Sequence, residues 1–243
     1  SASLYRMKVN ISKEEIINGC QEITKANNLT ECYIRPIIFY GYDTLGVNPK
    51  GCPLNIAIAS FYWGAYLGED GVQKGVNVTV SPFQKISYKA MPTTAKASGQ
   101  YMNSLLSVTE AKERGYDEAI LLNANNQVAE GSGENIFLIK DKLIFSPPSS
   151  DGALEGITAA TIKTFIQDLG LNFQTRHLSK EDLFEADELF FTGTAAEVTP
   201  ICSIDNVTIG SGKKGPLTHQ LQQQYFETIT GKHAKYSDWL DLN

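Results

Sequence analysis

Apolar positions first recur at helical spacing, with Ile16, Cys20, Ile23 and Ala26 on one stripe. Ser12 with Glu15 three residues on forms a capping box, so a helix is predicted to start there and to stop at Asn27-Asn28. The pattern then turns β-like. Residues 32–40 and 54–63 are rich in Ile, Tyr, Phe and Trp and predict two strands, with the Gly-rich stretch 41–51 as the loop between them. Leu67-Gly68-Glu69-Asp70-Gly71 is polar and reads as a linker. Val76–Val80 alternates as a half-buried strand should. Residues 100–114 predict a helix carrying Leu105, Leu106, Val108 and Ala111, with Gly115 at its C-terminal cap. Four short strands, 119–122, 127–130, 135–139 and 143–145, are separated by turn residues and read as a meander. Thr158 is placed to cap a helix over 159–169 that ends at Gly170. Residues 187–192 predict a strand running into Gly193-Thr194-Ala195-Ala196, and Leu217, Leu221, Tyr225 and Ile229 stripe a last helix. Many antiparallel strands with a few helices predict an α+β fold rather than a doubly wound sheet.

Composition narrows the class. The chain has 243 residues, 42% hydrophobic and 20% charged, which excludes a disordered chain. That length accommodates one large domain or two smaller ones. The net charge of −6 argues against nucleic acid or an anionic membrane as the main partner. No apolar stretch approaches the roughly 20 residues of a membrane span. No basic-then-apolar leader opens the sequence, so a cytoplasmic protein is expected. The sequence begins Ser1-Ala2-Ser3 without Met and meets a helix almost at once, as a protein entered part-way along would. Cys20, Cys32, Cys52 and Cys202 form no C-x-x-C pair and are expected to be reduced thiols. His177, His219 and His233 are scattered, so no metal site is expected.

Three places carry candidate chemistry. Lys96 is the only charged residue between Ala90 and Thr109, among Thr93, Thr94, Ala95, Ala97, Ser98 and Gly99. Partial desolvation there would bring its amine toward nucleophilic range, though an ordinary loop lysine fits the same pattern. Glu130-Gly131-Ser132-Gly133-Glu134-Asn135 ends a strand in a carboxylate and then offers two glycines for close approach. Gly156-Ile157-Thr158 opens a helix, and Gly193-Thr194-Ala195-Ala196 follows a strand; both present backbone N–H groups to an anion. Other motifs fail: in Gly210-Ser211-Gly212-Lys213-Lys214 the lysine is not followed by Ser or Thr, and Gly131-Ser132-Gly133 is not a nucleophile elbow. Together the three places ask for one ligand with a phosphate, a basic ring nitrogen and a carbonyl that a lysine can hold as a Schiff base. Pyridoxal phosphate has those groups.

Pro92-Thr93-Thr94-Ala95-Lys96-Ala97-Ser98-Gly99-Gln100-Tyr101 is similar to the lysine segment of fold-type IV pyridoxal-phosphate aminotransferases. The 130–135 turn resembles their glutamate turn, and the stretch from Gly193 to Pro200 resembles their phosphate and carboxylate loop. Within that class, Tyr33-Ile34-Arg35-Pro36, Gly46-Val47-Asn48-Pro49 and Trp63-Gly64-Ala65-Tyr66-Leu67-Gly68 look like the branched-chain amino-acid aminotransferases, and the match runs in order along essentially the whole chain.

The resemblance implies an α+β, fold-type IV enzyme. It would have a small α/β sandwich domain (1–66), a linker (67–75) and a larger pseudo-barrel, cofactor-binding domain (76–243). It implies transamination of Leu, Ile and Val with 2-oxoglutarate by a ping-pong mechanism through the pyridoxamine form. Lys96 would carry the Schiff base and shuttle the proton. Tyr101 would meet the cofactor's phenolic oxygen and Glu130 its ring nitrogen. Gly156, the N–H groups of Ile157 and Thr158, Gly193 and the Thr194 hydroxyl would hold the phosphate. Thr194, Ala195 and Ala196, with Tyr33, would take the substrate carboxylate, and Arg35 the side-chain carboxylate of glutamate. Trp63, Tyr66 and Tyr101 would line an apolar pocket, with Val47 reaching in from a second subunit of a homodimer or higher homo-oligomer. Those enzymes carry an N-terminal segment ahead of the Ser12 helix, with a phosphate-gripping arginine and aromatic pocket residues. No counterpart stands here, so the small domain is expected to be incomplete. The rivals are a D-amino-acid aminotransferase or aminodeoxychorismate lyase of the same fold, against which the Tyr33–Pro36 and Trp63–Tyr66 motifs argue, and a non-catalytic phosphate-binding or assembly protein.

Overall fold

The computed structural model describes residues 1–240, and the chain divides into two units, Ser1–Gly64 and Ala65–Asn243. In the first, helix α1 (Lys13–Ala26) starts at the expected capping box: the Ser12 hydroxyl accepts the Glu15 N–H at 3.1 Å, and the Glu15 carboxylate accepts the Ser12 N–H at 2.8 Å. Strands β1 (Tyr33–Tyr40) and β2 (Leu54–Phe61) pair antiparallel in unbroken register from Tyr33↔Phe61 to Tyr40↔Leu54. Helix α1 lies against this ribbon. A Cβ on Gly19 would stand 2.8 Å from Ile58 Cδ1, and the Asn27 amide donates to the Ser60 hydroxyl at 2.8 Å.

In the second unit the polar stretch read as a linker is helical: α2 (Gly68–Lys74) buries Gly71 and Val72, and a Cβ on Gly71 would stand 3.0 Å from Val76 Cγ1. The remaining elements are β3 (Val76–Val80), α3 (Tyr101–Glu113), β4 (Glu118–Leu122), β5 (Val128–Gly131), β6 (Asn135–Lys140), β7 (Leu143–Ser146), α4 (Ile157–Asp168), β8 (Phe173–Thr175), α5 (Lys180–Phe184), β9 (Glu188–Gly193), β10 (Glu197–Ile204), β11 (Val207–Thr208) and α6 (Pro216–Ile229). The strands form one nine-stranded sheet in the order β5-β4-β3-β10-β9-β6-β7-β8, with β11 on β10. The four strands expected as a meander are two hairpins, β4–β5 and β6–β7, placed apart in that order. A tight turn nonetheless joins β5 to β6, so the sheet curls into a half-barrel. Strand β3 runs parallel to both β4 and β10, and β7 parallel to β8. Mixed pairing leaves the class α+β.

The central strands are buried on both faces. Along β6 and β9, Ile136, Leu138, Leu189 and Phe191 join a core with Val76, Val78 and Ile120. Phe137, Ile139 and Phe190 face the other way, into a core with Ile162, Phe165 and Ile166 of α4 and Leu221 and Tyr225 of α6. Two-sided burial explains why these strands read as continuous apolar runs rather than alternating ones. The cap of α4 is Gly156, not Thr158, which sits one residue inside the helix.

Candidate active site

Four turns of the second unit converge where β5, β6 and β9 end. Strand β5 delivers Glu130 to its last turn, where the side chain is buried. One carboxylate oxygen pairs with the Lys85 ammonium; the other accepts the Leu154 N–H at 2.7 Å and the Asn135 amide at 3.4 Å. Burial pushes the Glu130 carboxyl up, against the opposing pull of Lys85, of the Leu154 N–H and of the nearby Lys96 charge. The turn is compact because Gly131 leaves space: a Cβ there would meet Glu134 Oε2 at 2.5 Å.

The Leu154 contact carries the chain straight into α4. Asn135 also donates to the Leu154 carbonyl at 2.7 Å, and its Oδ1 stands 2.1 Å from where a Gly156 Cβ would be. Only glycine therefore fits at this cap, and the first N–H groups of α4, those of Ile157 and Thr158, have no acceptor within the helix. Ile157 is exposed and Thr158 buried; the Thr158 hydroxyl is hydrogen-bonded to the Tyr225 phenol. Burial, helped by the Glu197 charge, holds that phenol protonated, pushed up to about 12.

Asn135 pairs with Thr192 across β6 and β9, which sets the Gly193–Ala196 turn beside the glutamate turn. A Cβ on Gly193 would lie 3.6 Å from the Gly133 carbonyl. The turn is braced by the Thr199 hydroxyl, which donates to the Ala196 carbonyl at 2.7 Å, and by the Tyr66 N–H, which donates to the Ala195 carbonyl at 3.2 Å. The Tyr66 phenol points the other way, donating to Glu118 at 3.4 Å and meeting Ser132; burial and the Glu118 and Glu134 charges raise it.

The fourth turn carries Lys96. Its amine donates to the Tyr101 phenol at the start of α3 and lies 5.0 Å from the centre of that ring. The Gln100 amide fastens the loop by donating to the carbonyls of Pro92 at 2.9 Å and Ala95 at 3.2 Å. Lys96 itself is exposed, so the small uncharged neighbours give access to the amine rather than bury it.

The first unit holds Tyr33, Arg35 and Trp63 as one cluster. The Arg35 guanidinium lies 5.1 Å from the ring centres of Tyr33 and Trp63 and 5.6 Å from that of Phe61. Tyr33 and Trp63 meet edge-on at 4.8 Å. Val47 is fully exposed on the β1–β2 loop. Sequence reasoning did not mark Lys85, Leu154, Glu118 or Tyr225 as site residues. Each is brought to the site by contacts distant in sequence, and none stands in a recognisable local motif. Among the described residues no three metal-binding side chains cluster, and no helix is long and apolar enough to cross a membrane.

The half-barrel with a lysine, a buried carboxylate and two glycine turns at one end is the frame of a class of aminotransferases. The family described as "Amino-transferase class IV" matches residues 1–204. The chain is 43% identical over 242 residues to the branched-chain-amino-acid aminotransferase of Escherichia coli (strain K12), an alignment covering 99% of this chain and 78% of that protein. It superposes on a crystal structure of the E. coli branched-chain amino acid aminotransferase with a TM-score of 0.96 at 42% identity, covering 99% of this chain and 79% of that one. The branched-chain amino acid aminotransferase of Thermobaculum terrenum, in its PLP-bound holo form, gives a TM-score of 0.92 at 30% identity, with 99% and 78% covered. The chain belongs to the class IV aminotransferases, fold-type IV pyridoxal-phosphate transferases, and within them to the branched-chain-amino-acid aminotransferase family.

Proposed function

We propose that this protein transfers the amino group of the branched-chain L-amino acids Leu, Ile and Val to 2-oxoglutarate, using pyridoxal 5'-phosphate bound at the cluster of turns in the second unit. The observation that carries this reading is the convergence of Lys96, Glu130, Gly156 and Gly193 on one end of the sheet. The residues fit the cofactor. A carboxylate is anchored in a dry place, and a cap excludes any Cβ beside free helix N–H groups. An accessible amine sits next to a phenol. When bound, pyridoxal phosphate supplies a carbonyl carbon for the amino group and a ring that withdraws electrons from the substrate α-carbon.

Each residue then has a task its surroundings suit. Lys96 is the nucleophile and later moves the proton of the substrate α-carbon, with Tyr101 orienting its amine. Glu130 holds the ring nitrogen by charge. The N–H groups of Ile157 and Thr158, with Thr194 and Gly193, hold the phosphate dianion, where the helix dipole favours it. The backbone at Thr194, Ala195 and Ala196 takes the α-carboxylate, and for Tyr33 of the first unit the same task rests on the family resemblance alone. Tyr66 and Tyr101 of the second unit offer apolar surface to a branched side chain; for Trp63 and Arg35 of the first unit, the apolar-pocket task and the grip on the distal carboxylate of glutamate rest on the family resemblance. One methylene discriminates by only about 1–3 kcal/mol, so overlap among Leu, Ile and Val follows.

The exposure of Val47 supports a homo-oligomer in which this loop meets a second copy. The four free cysteines fit a reducing cytoplasm. The test of the reading is Lys96→Ala. Native protein incubated with pyridoxal phosphate should turn yellow and retain a borohydride-fixed label on the Lys96 peptide by mass spectrometry, and the variant should do neither. A label on another lysine, or turnover of D-alanine in place of L-leucine, refutes it.

A further inference from the structure

Behind Glu130 stands a second buried charge. Lys85 follows β3, with its backbone N–H on the Leu122 carbonyl at 2.8 Å. Its side chain is 7% exposed, as is that of Glu130, and its ammonium donates to Glu130 Oε1. The stem is boxed in: Gly152, at φ 104, leaves just 3.0 Å between the place of its missing Cβ and Lys85 Cγ. A surface lysine chooses among rotamers; this one has been given a single place and a single partner. The neighbourhood makes the cation matter. Glu134 in the same turn is also buried and feels the Glu130 charge, while the Lys96 charge also reaches Glu130. A carboxyl so enclosed is driven toward its neutral form unless a cation compensates it. A neutral Glu130 could share a hydrogen bond with a ring nitrogen, but it would exert no charge on it.

We propose that Lys85 is a positioning residue for the cofactor. By pairing with Oε1 it keeps Glu130 ionised and fixes the carboxylate plane, so that Glu130 can hold a protonated ring nitrogen. This rests on the reading of Glu130 as the partner of that nitrogen. Lys85 touches neither substrate nor cofactor in this role and acts only through Glu130.

A double-mutant cycle on retention of pyridoxal 5'-phosphate separates the two claims. Equilibrium ultrafiltration of the full chain would be read alongside borohydride trapping. Glu130→Gln should weaken retention by about tenfold to a hundredfold, the range for a hydrogen bond to a charged group. Lys85→Met should do nearly the same in the native background and add less than about twofold on top of Glu130→Gln. Lys85→Arg, which restores a cation, should recover most of the affinity. Lys85→Gln leaves a donor near Glu130 without charge; it should behave as Lys85→Met and replaces it if that variant does not fold. Unchanged retention in Glu130→Gln overturns the ring-nitrogen reading and this proposal with it. Loss in Glu130→Gln with unchanged or tighter retention in Lys85→Met, or a Lys85→Met loss that persists in full beside Glu130→Gln, overturns the role of Lys85 alone.

Discussion

Glu134 is a carboxyl with almost no water and one clear donor, the Gly133 N–H at 3.0 Å. Burial above all, and then the Glu118 charge, raise it well above the usual carboxylate range. In the unfolded chain the same group titrates normally. Between the two values the folded protein keeps a proton that the unfolded chain has lost. Stability is therefore full below the ordinary carboxylate range and declines as pH rises through the raised folded value. Urea unfolding followed against pH should show that decline, and Glu134→Gln should flatten it and be the more stable protein above the window. An identical slope in both would show that Glu134 is not held neutral. Arg35 poses the opposite case, an exposed cation among aromatic rings. Arg35→Leu should lower kcat/KM for L-glutamate about tenfold to a hundredfold, the value of lost charge-assisted bonds, and leave L-leucine within about threefold. Equal losses for both substrates would remove Arg35 from side-chain recognition. Chemistry at this scale was partly visible in the sequence. Lys96 stands out because its run is uncharged, and Glu130 because two glycines follow it. Lys85, in Phe83-Gln84-Lys85-Ile86, looks like any surface lysine until the fold buries it.

Among the elements, β6 and β9 hold the site's turns in place because both their faces are packed. Phe190 stacks on Phe137 with ring centres 5.0 Å apart and parallel planes, in the core under α4 and α6. Phe190→Ala should cost about 3–5 kcal/mol of unfolding free energy, read from the shift in urea midpoint; a loss under about 1 kcal/mol would mean the core there repacks freely. The same two-sided burial hid the topology. Periodicity showed that strands exist here but not which neighbours they have, since a fully apolar strand points to no particular face. Strand β10 escaped notice because Pro200 interrupts its run, and proline argues against a central strand. The structure resolves the conflict: Pro200 pairs with Phe190 on β9, and the ladder to β3 begins only at Ile201. Helix α2 was hidden by its glycines, yet Gly71 is what lets it sit on Val76. Helix α1 was legible to its first residue, because a capping box is local chemistry.

For the molecule as a whole, the site is a set of turns from distant parts of the chain, so a ligand that grips them all should tie them together. Pyridoxal phosphate at about a hundredfold over its dissociation constant should add about 2.7 kcal/mol to stability. Differential scanning calorimetry should show a higher melting temperature with the cofactor, and a smaller rise for Lys96→Ala; no rise in the native chain would mean the turns do not form a common site. The position of β3 has a further consequence. It joins the β4–β5 hairpin to β10, and its partners there, such as Asn77 and Ser203, are 126 residues apart in sequence. Contacts that distant make for slow folding. On the ribosome, the lysine loop and the glutamate hairpin emerge long before the strand that fastens them to the rest of the sheet. Until about residue 204 is released, half of the barrel has an open strand edge, which is when a chaperone would be needed most.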